Sequence, residues 1–291
     1  MTSLALSPVT PSSPIVALPD LGRRTLIMGI LNVTPDSFSD GGFFEPREAA
    51  MAQAAAMIAE GADIIDIGGE STRPGYAPVA TEDEIARVIP IIEAIAATSP
   101  PISIDTYKAA TAEAALKAGA KIVNDIWGLQ RDPDIARVAA SHGAPVIVMH
   151  NRETPDESVD IIAEMRRFFD RSIAIAARAG IPDHHIILDP GIGFGKTRAQ
   201  ELDALRRVAE LKAFGYPVLV GASRKSFIGR IAASASATAM PLPPRERLNG
   251  TLAAHILAIG GGADIVRAHD VRAHVEASRV ADAILAGVAL H

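Results

Sequence analysis

Side chains that could bind a ligand recur in this 291-residue sequence directly after short apolar runs, and they carry charges of both signs. They are Asn32, Arg73, Asp105, Asn124, His150, Asp189, Lys225, Arg267 and His269. A single polar residue after a strand commonly forms a turn or caps a helix. Turn formation does not explain why nearly every apolar run ends in such a residue, so the pattern predicts one shared binding site.

The mixture of charges at these positions indicates what the site would bind. Asp105 and Asp189 offer carboxylates that accept hydrogen bonds from N–H groups, such as those of a flat heterocycle. Arg73, Lys225 and Arg267 could neutralise a phosphate or a pyrophosphate. The side chains therefore predict a ligand with a donor-rich ring at one end and an anion at the other.

Several common catalytic motifs are absent from the sequence. Segment 189–197 ends like a phosphate-binding P-loop, but Pro190 stands where that motif requires glycine. Ser223 lies in Gly-Ala-Ser-Arg-Lys and not in the G-x-S-x-G turn of serine hydrolases. The chain has no cysteine, which excludes disulfides, thiolate metal sites and cysteine nucleophiles. Its eight histidines form no H-E-x-x-H motif, which would indicate a zinc site.

Eight apolar runs precede the polar positions, and their nearly uniform apolarity is typical of strands buried on both faces of a parallel sheet. The runs span residues 25–30, 63–67, 102–104, 121–123, 145–149, 185–188, 218–220 and 264–266. Helical periodicity lies between them, for example at 82–97, 161–173, 199–214 and 271–285, and glycine follows several of the predicted helices. Eight such units predict a single α/β domain, namely a (β/α)8 TIM barrel with its site at the carboxyl-terminal mouth of the strands. The alternative is a doubly wound open sheet.

Composition limits the class of protein further. The chain is 48% hydrophobic with a net charge of −6, which excludes a disordered chain and argues against a nucleic-acid or anionic-membrane binder. No run reaches the roughly 18 apolar residues of a membrane span. Residues 1–20 lack the features of a signal peptide and are predicted to form a flexible extension, with the barrel over 21–291. The protein is predicted to be cytoplasmic. The segment 232–244 is predicted to be a mobile loop.

Together the segments that end the predicted strands resemble the dihydropteroate synthase family. The matching stretches, in the family's order, are MGILNVTPDSFSDGG (28–42), GADIIDIGGESTRPG (61–75), ISIDTYK (102–108), VNDIWG (123–128), ILDPGIGFGK (187–196), LVGASRKSFIG (219–229) and residues 247–271. The resemblance implies a barrel that condenses 6-hydroxymethyl-7,8-dihydropterin pyrophosphate with p-aminobenzoate, with Mg²⁺, to 7,8-dihydropteroate and pyrophosphate. Pyrophosphate would leave before the amine attacks, while loops 32–42 and 68–76 close over the cation.

The resemblance also implies roles for individual residues, with Asp105, Lys225 and Asp189 as the catalytic set. The pterin would contact Asp105, Asn124, Ile126, Met149, Asp189, Gly221 and Lys225. p-Aminobenzoate would contact Thr72, Arg73, Pro74, Phe194, Ser223 and Arg224. Pyrophosphate would be bound by Asn32, Arg73, Arg267 and His269, and Asn32 would also contact the Mg²⁺. The residues leave open whether Asp66, on the second predicted strand, is structural or catalytic.

Two alternatives remain beside the synthase, namely a pterin-dependent methyltransferase domain and a non-catalytic pterin-binding paralogue. The segments 223–226 and 71–75 argue against the first, and the intact set of charged residues argues against the second. The sequence departs from the family pattern after His150, where Asn-Arg-Glu-Thr-Pro replaces a glycine-containing turn, and at Tyr107, where a small residue is common. The resemblance further implies a homodimer and inhibition by sulfonamides, which mimic p-aminobenzoate.

Overall fold

The strands of the protein form a single parallel sheet in a computed structural model that describes residues 15–34, 46–70, 78–233 and 240–287. The strands are β1 (Leu26–Asn32), β2 (Ile64–Gly68), β3 (Ile102–Asp105), β4 (Ile122–Asp125), β5 (Val146–Met149), β6 (Ile186–Asp189), β7 (Leu219–Val220) and β8 (Ile265–Ala268). Their spatial order is β6-β5-β4-β3-β2-β1-β8-β7, so each strand lies beside its neighbour in sequence and β1 pairs with β8.

The remaining gap, between β6 and β7, is closed by backbone contacts. Leu188 forms an isolated parallel bridge with Val218, and its amide donates to the carbonyl of Pro217 over 2.9 Å. An open sheet would leave two unpaired edges, whereas this one returns on itself. The TIM barrel predicted from the sequence is therefore confirmed, and the doubly wound alternative is wrong.

Helices follow the strands around the outside of the barrel. They are α1 (Pro46–Ala59), α2 (Thr81–Ile95), α3 (Ala109–Ala118), α4 (Ile135–Ser141), α5 (Ile161–Ala179), α6 (Arg198–Arg206), α7 (Val208–Lys212), α8 (Ser226–Ala233), α9 (Leu248–Gly260) and α10 (Val271–Ala286). The apolar stripe predicted on α5 is confirmed, since Ile161, Met165, Phe168 and Phe169 are buried against the sheet. No helix in the described ranges is long and apolar enough to cross a membrane.

The helix predicted over 199–214 is interrupted, which corrects that interpretation. Arg207 has φ −107° and ψ 25°, so α6 ends there and α7 begins. The guanidinium of Arg207 donates to Asp160, Asp203 and Glu210. The apolar periodicity of the sequence continues across Arg207 because both short helices place apolar residues in the same core cluster. A break in the backbone does not change that periodicity, so the sequence did not predict it.

Apolar side chains from all but one of the strands fill the amino-terminal half of the barrel interior. They are Leu26, Met28, Ile64, Ile122, Ile147, Ile187, Leu219 and Ile265. Ile15 and Leu18 pack on this cluster and are each 3% exposed. Residues 15–20 therefore belong with the barrel, and the extension predicted over 1–20 is shorter by these six residues. Residues 1–14 lie outside the described residues, as do positions 234–239 of the predicted loop 232–244.

Candidate active site

The polar site residues occupy the interior face of the barrel because side chains on a strand alternate between its two faces. Ile64, Ile122, Ile187 and Ile265 lie in the interior apolar cluster. The residue two positions later on each strand shares that face. Those residues are Asp66, Asn124, Asp189 and Arg267. One layer of apolar side chains is thus followed, toward the carboxyl-terminal mouth, by a layer that is largely polar.

Arg267 is the centre of a hydrogen-bonded network in the polar layer. Its Nε lies 2.6 Å from Oδ2 of Asp66, and its Nη2 lies 2.7 Å from Oδ2 of Asp105. Asn124 donates from Nδ2 to the same Asp66 oxygen over 3.1 Å. The role of Asp66 was left open by the sequence. In the structure its carboxylate positions the guanidinium of Arg267 and the side-chain amide of Asn124.

Three oxygens of this network have no hydrogen-bond partner among the described residues. They are Oδ1 of Asp66, Oδ1 of Asp105 and Oδ1 of Asn124, and all are buried. A buried acceptor without a donor costs free energy, so such atoms in a native site indicate a ligand that supplies N–H groups. Burial raises the pKa of Asp105 to about 7, although the charge of Arg267 opposes that shift.

Asp189 ends β6 on the other side of the barrel. Its Oδ1 accepts from the amide of Gly191 over 2.7 Å, which fixes the carboxylate against the start of the following loop. Burial raises the pKa of Asp189 to about 6, while this bond and the charge of Arg267 lower it. The carboxylate is therefore largely ionised at neutral pH and can accept from a ligand.

Lys225 extends from the segment after β7 toward the loop that follows β6. Its Nζ lies 4.2 Å from the centroid of the Phe194 ring, within the range of a cation–π interaction. Burial lowers the pKa of Lys225 to about 8, and the nearby charge of Arg267 acts in the same direction. The ring and the ammonium, predicted to face p-aminobenzoate and the pterin respectively, are in direct contact.

The segments after β7 and β8 are joined by a second polar contact. Oγ of Ser223 lies 2.9 Å from Nδ1 of His269, and the His269 amide donates back to that Oγ over 3.2 Å. Arg224 has φ +56°, and its guanidinium makes two hydrogen bonds to the carboxylate of Asp270. The Arg224 side chain is thus committed to Asp270, so its contact with p-aminobenzoate stays a prediction.

The other predicted site residues divide into those the structure brings to the mouth and those it does not describe. Ile126 and Met149 are buried at the ends of β4 and β5, and Asn32 is partly buried at the end of β1. A Cβ added to Gly221 would meet nothing nearer than 3.8 Å, so this backbone can be approached closely. Thr72, Arg73 and Pro74, and most of the loops 32–42 and 68–76, lie outside the described residues.

A partly buried lysine flanks the second loop, and the sequence did not indicate it. Nζ of Lys108 lies 2.5 Å from Glu70 Oε2, 2.8 Å from Glu84 Oε2 and 2.7 Å from the carbonyl of Val79. Tyr107, noted as a departure from the family pattern, donates to Oε1 of Glu70 over 3.0 Å. Residues so far apart in sequence carry no local signal of this contact.

Gly191 is the position in the β6 loop where we expect a side chain to be least tolerated. Its φ is +63°, and a Cβ there would lie 2.1 Å from the carbonyl oxygen of His150. Gly143 has the same φ of +63° with nothing within 4 Å, so it is a matched control. Gly143→Ala should lower the free energy of unfolding by about 1 kcal/mol, and Gly191→Ala by at least about 3 kcal/mol. Urea denaturation measures both; equal losses would contradict the close packing.

Comparisons with known proteins agree with this site. A family model described as "Pterin binding enzyme" matches residues 28–269. A dihydropteroate synthase of Clostridium beijerinckii is 49% identical over 268 residues, covering 91% of this chain and 96% of that one.

Two solved structures are similar over the same region. A Clostridium difficile dihydropteroate synthase, solved in the presence of pteroic acid, has a TM-score of 0.86 and 49% identity, with 91% of this chain and 98% of that chain covered. A Xanthomonas albilineans dihydropteroate synthase with 4-aminobenzoic acid has a TM-score of 0.85 and 42% identity, with 90% and 94% covered. With the family model matching most of its length, the chain belongs to the family of pterin binding enzymes.

Proposed function

We propose that this protein is a dihydropteroate synthase, a transferase of folate biosynthesis that joins 6-hydroxymethyl-7,8-dihydropterin pyrophosphate to p-aminobenzoate and releases pyrophosphate. The observation that carries the proposal is the set of buried, unpartnered acceptor oxygens on Asp105 and Asn124 beside the guanidinium of Arg267. A pterin ring presents N–H donors to such acceptors, and its pyrophosphate presents charge to the arginine. The relatives of about 49% identity carry the same name.

The pterin fits the interior polar layer better than the outer rim. Asp105, Asn124 and Asp189 can accept from its N–H groups, and Ile126 and Met149 supply apolar surface for its faces. The Lys225 ammonium can donate to a ring acceptor or to p-aminobenzoate. The anionic end would then meet Arg267 and His269 on β8 and the turn after it.

The arrangement supports loss of pyrophosphate before attack by the amine. Arg267 can stabilise the leaving anion, since a guanidinium binds phosphate oxygens through two parallel N–H bonds. The carboxylate of Asp105 can stabilise the positive charge left on the pterin methylene, because opposite charges interact strongly away from water. None of the described residues needs to form a covalent bond to substrate: the amine nitrogen bonds to the methylene carbon, whose bond to pyrophosphate has broken, and then releases one proton to water.

The residues fit a magnesium ion only if the substrate supplies ligands too. Within the described residues no cluster of three histidine or carboxylate side chains could hold a metal by itself. Mg²⁺ commonly keeps water and substrate phosphate as ligands beside one or two protein groups. Asn32, with an amide oxygen at the end of β1, is proposed as that protein contact, and the bound ion would neutralise charge on the pyrophosphate.

Product formation tests the proposal directly. The purified chain is incubated with the pterin pyrophosphate and p-aminobenzoate, with and without Mg²⁺, and dihydropteroate and pyrophosphate are measured. We expect both products in equal amounts, with a requirement for Mg²⁺. Pterin binding without product would instead indicate a non-catalytic paralogue, and methyl transfer from a methylated pterin would indicate the methyltransferase.

A homodimer is proposed from the apolar side chains exposed on the two adjacent helices α9 and α10. Leu257, Val280 and Ile284 are 74%, 60% and 73% exposed. Val280→Asp should convert the dimer to a monomer in light scattering, because a buried unpaired carboxylate opposes association. Val16→Asp, at a side chain 92% exposed that belongs to neither α9 nor α10, should leave the dimer intact. A monomeric parent protein would contradict the proposal.

Two further statements stay predictions. We expect sulfonamides to compete with p-aminobenzoate at Phe194 and Ser223, which steady-state inhibition would measure. A cytoplasmic location is likewise expected, and fractionation of the source cells would test it.

A further inference from the structure

Lys196 is a buried lysine in the loop between β6 and α6, and the proposed reaction assigns it no role. The residue is 8% exposed, and its side chain turns back under its own loop. Its Nζ donates to the carbonyls of Gly191, Phe194 and His150, at 2.8, 3.0 and 3.2 Å. An ammonium has three N–H donors, so these backbone carbonyls use all of them.

The loop that Lys196 holds is packed against the chain segment after β5, backbone to backbone. A Cβ added to Gly195 would lie 2.2 Å from the carbonyl oxygen of Arg152, which resembles the close approach at Gly191. The guanidinium of Arg152 also donates to the carbonyl of Gly195 over 3.0 Å. Because buried carbonyls need donors and this loop belongs to no sheet or helix, side-chain cations supply those hydrogen bonds.

The same loop carries Phe194, whose carbonyl is bound by Lys196 and whose ring lies under Lys225. A Cβ added to Gly193 would lie 2.9 Å from Cδ of Lys225, so the stem of that lysine crosses the loop next to the ring. A shift of the Phe194 backbone would therefore change the position of the ring relative to the ammonium of Lys225. Misplacement of such groups by about 1 Å can cost a large factor in rate or binding.

We propose that Lys196 is a positioning residue: by holding the carbonyl of Phe194, it places the Phe194 ring for the binding of p-aminobenzoate. The inference rests on the proposed synthase function. It concerns one of the two substrates, because Phe194 is assigned to p-aminobenzoate alone and the network of Asp66, Asp105, Asn124 and Arg267 forms its hydrogen bonds without Lys196.

The experiment compares Lys196→Met with Lys212→Met in steady-state assays of both substrates. Lys212 is the control lysine, since its Nζ makes an ion pair of 2.6 Å with Asp264, which directly precedes β8 at the amino-terminal end of the barrel. We expect Lys196→Met to raise the KM for p-aminobenzoate about tenfold, with the KM for the pterin pyrophosphate within about twofold of the parent. Lys212→Met should lower the melting temperature and leave both KM values within about twofold.

A double-mutant cycle with Phe194→Leu separates positioning from a general loss of stability. If Lys196 acts through Phe194, Lys196→Met should change the KM for p-aminobenzoate by less than about twofold in the Phe194→Leu background. Independent, multiplying effects would overturn the proposal, as would an unchanged KM or equal increases for both substrates. If Lys196→Met does not fold, Lys196→Gln, which keeps two N–H donors, is judged by the same criteria. Activity of the parent protein is measured first, so failure of the proposed function is distinguished from failure of this inference.

Discussion

Asp105→Asn is expected to lower kcat/KM by about 10²- to 10³-fold while the protein stays folded. Asparagine has nearly the same shape, so Arg267 keeps an oxygen acceptor, but the negative charge beside the pterin methylene is lost. Since that charge stabilises the cation formed when pyrophosphate leaves, the loss should fall mainly on the chemical step. Single-turnover product formation, with the thermal unfolding midpoint measured in parallel, checks both parts of the expectation.

The pH profile of the same variant provides an independent readout. Burial raises the pKa of Asp105 to about 7, so the parent should lose kcat/KM as the pH falls through about 7 and this carboxylate is protonated. Asp105→Asn has no such group, and its residual activity should fall only near pH 6, where Asp189 titrates. A profile identical to that of the parent would contradict this assignment.

Asp125 offers a matched control one strand away. It is also fully buried with its pKa raised to about 6, but its carboxylate accepts from the amides of Trp127 and Leu129 instead of joining the interior network. Asp125→Asn should lower stability because it weakens that turn, and it should retain the acidic limb of the pH profile. Equal effects of the two substitutions on kcat/KM would show that burial, and not the interior position, determines the result.

Lys225→Met is expected to lower kcat/KM by about 10²-fold or more, because it removes a charged donor that faces both substrates and keeps the apolar stem over Phe194. Burial lowers the pKa of Lys225 to about 8. The parent should therefore lose activity as the pH rises through about 8 and the ammonium loses its proton. This alkaline limb should be absent from Lys225→Met and present in Lys212→Met. An alkaline limb retained by Lys225→Met would assign that limb to another group.

Much of the fold was predictable because its signals are local. A strand buried on both faces is an uninterrupted apolar run, and a helix on the outside of a barrel keeps one apolar stripe, so the order of elements can be read directly. The observed strands β1 to β8 lie within two residues of the predicted runs. The interruption at Arg207 and the packing of Ile15 and Leu18 could not be predicted, since both depend on contacts with elements distant in sequence.

The candidate site follows the same division. Among the described residues, the sequence by itself determined which side chains end or follow a strand and so reach the mouth, and the resemblance to a known family indicated the ligand. Only the tertiary structure decided the hydrogen-bond partners of these side chains. Arg267 binds Asp66 and Asp105, which precede it by 201 and 162 residues. Arg224 binds Asp270, and Lys196 binds carbonyls of its own loop. Several carboxylates and carbonyls could satisfy each cation, and sequence cannot rank them. The closure of the barrel selects among them, because hydrogen bonds and charge interactions depend on distances of a few ångströms.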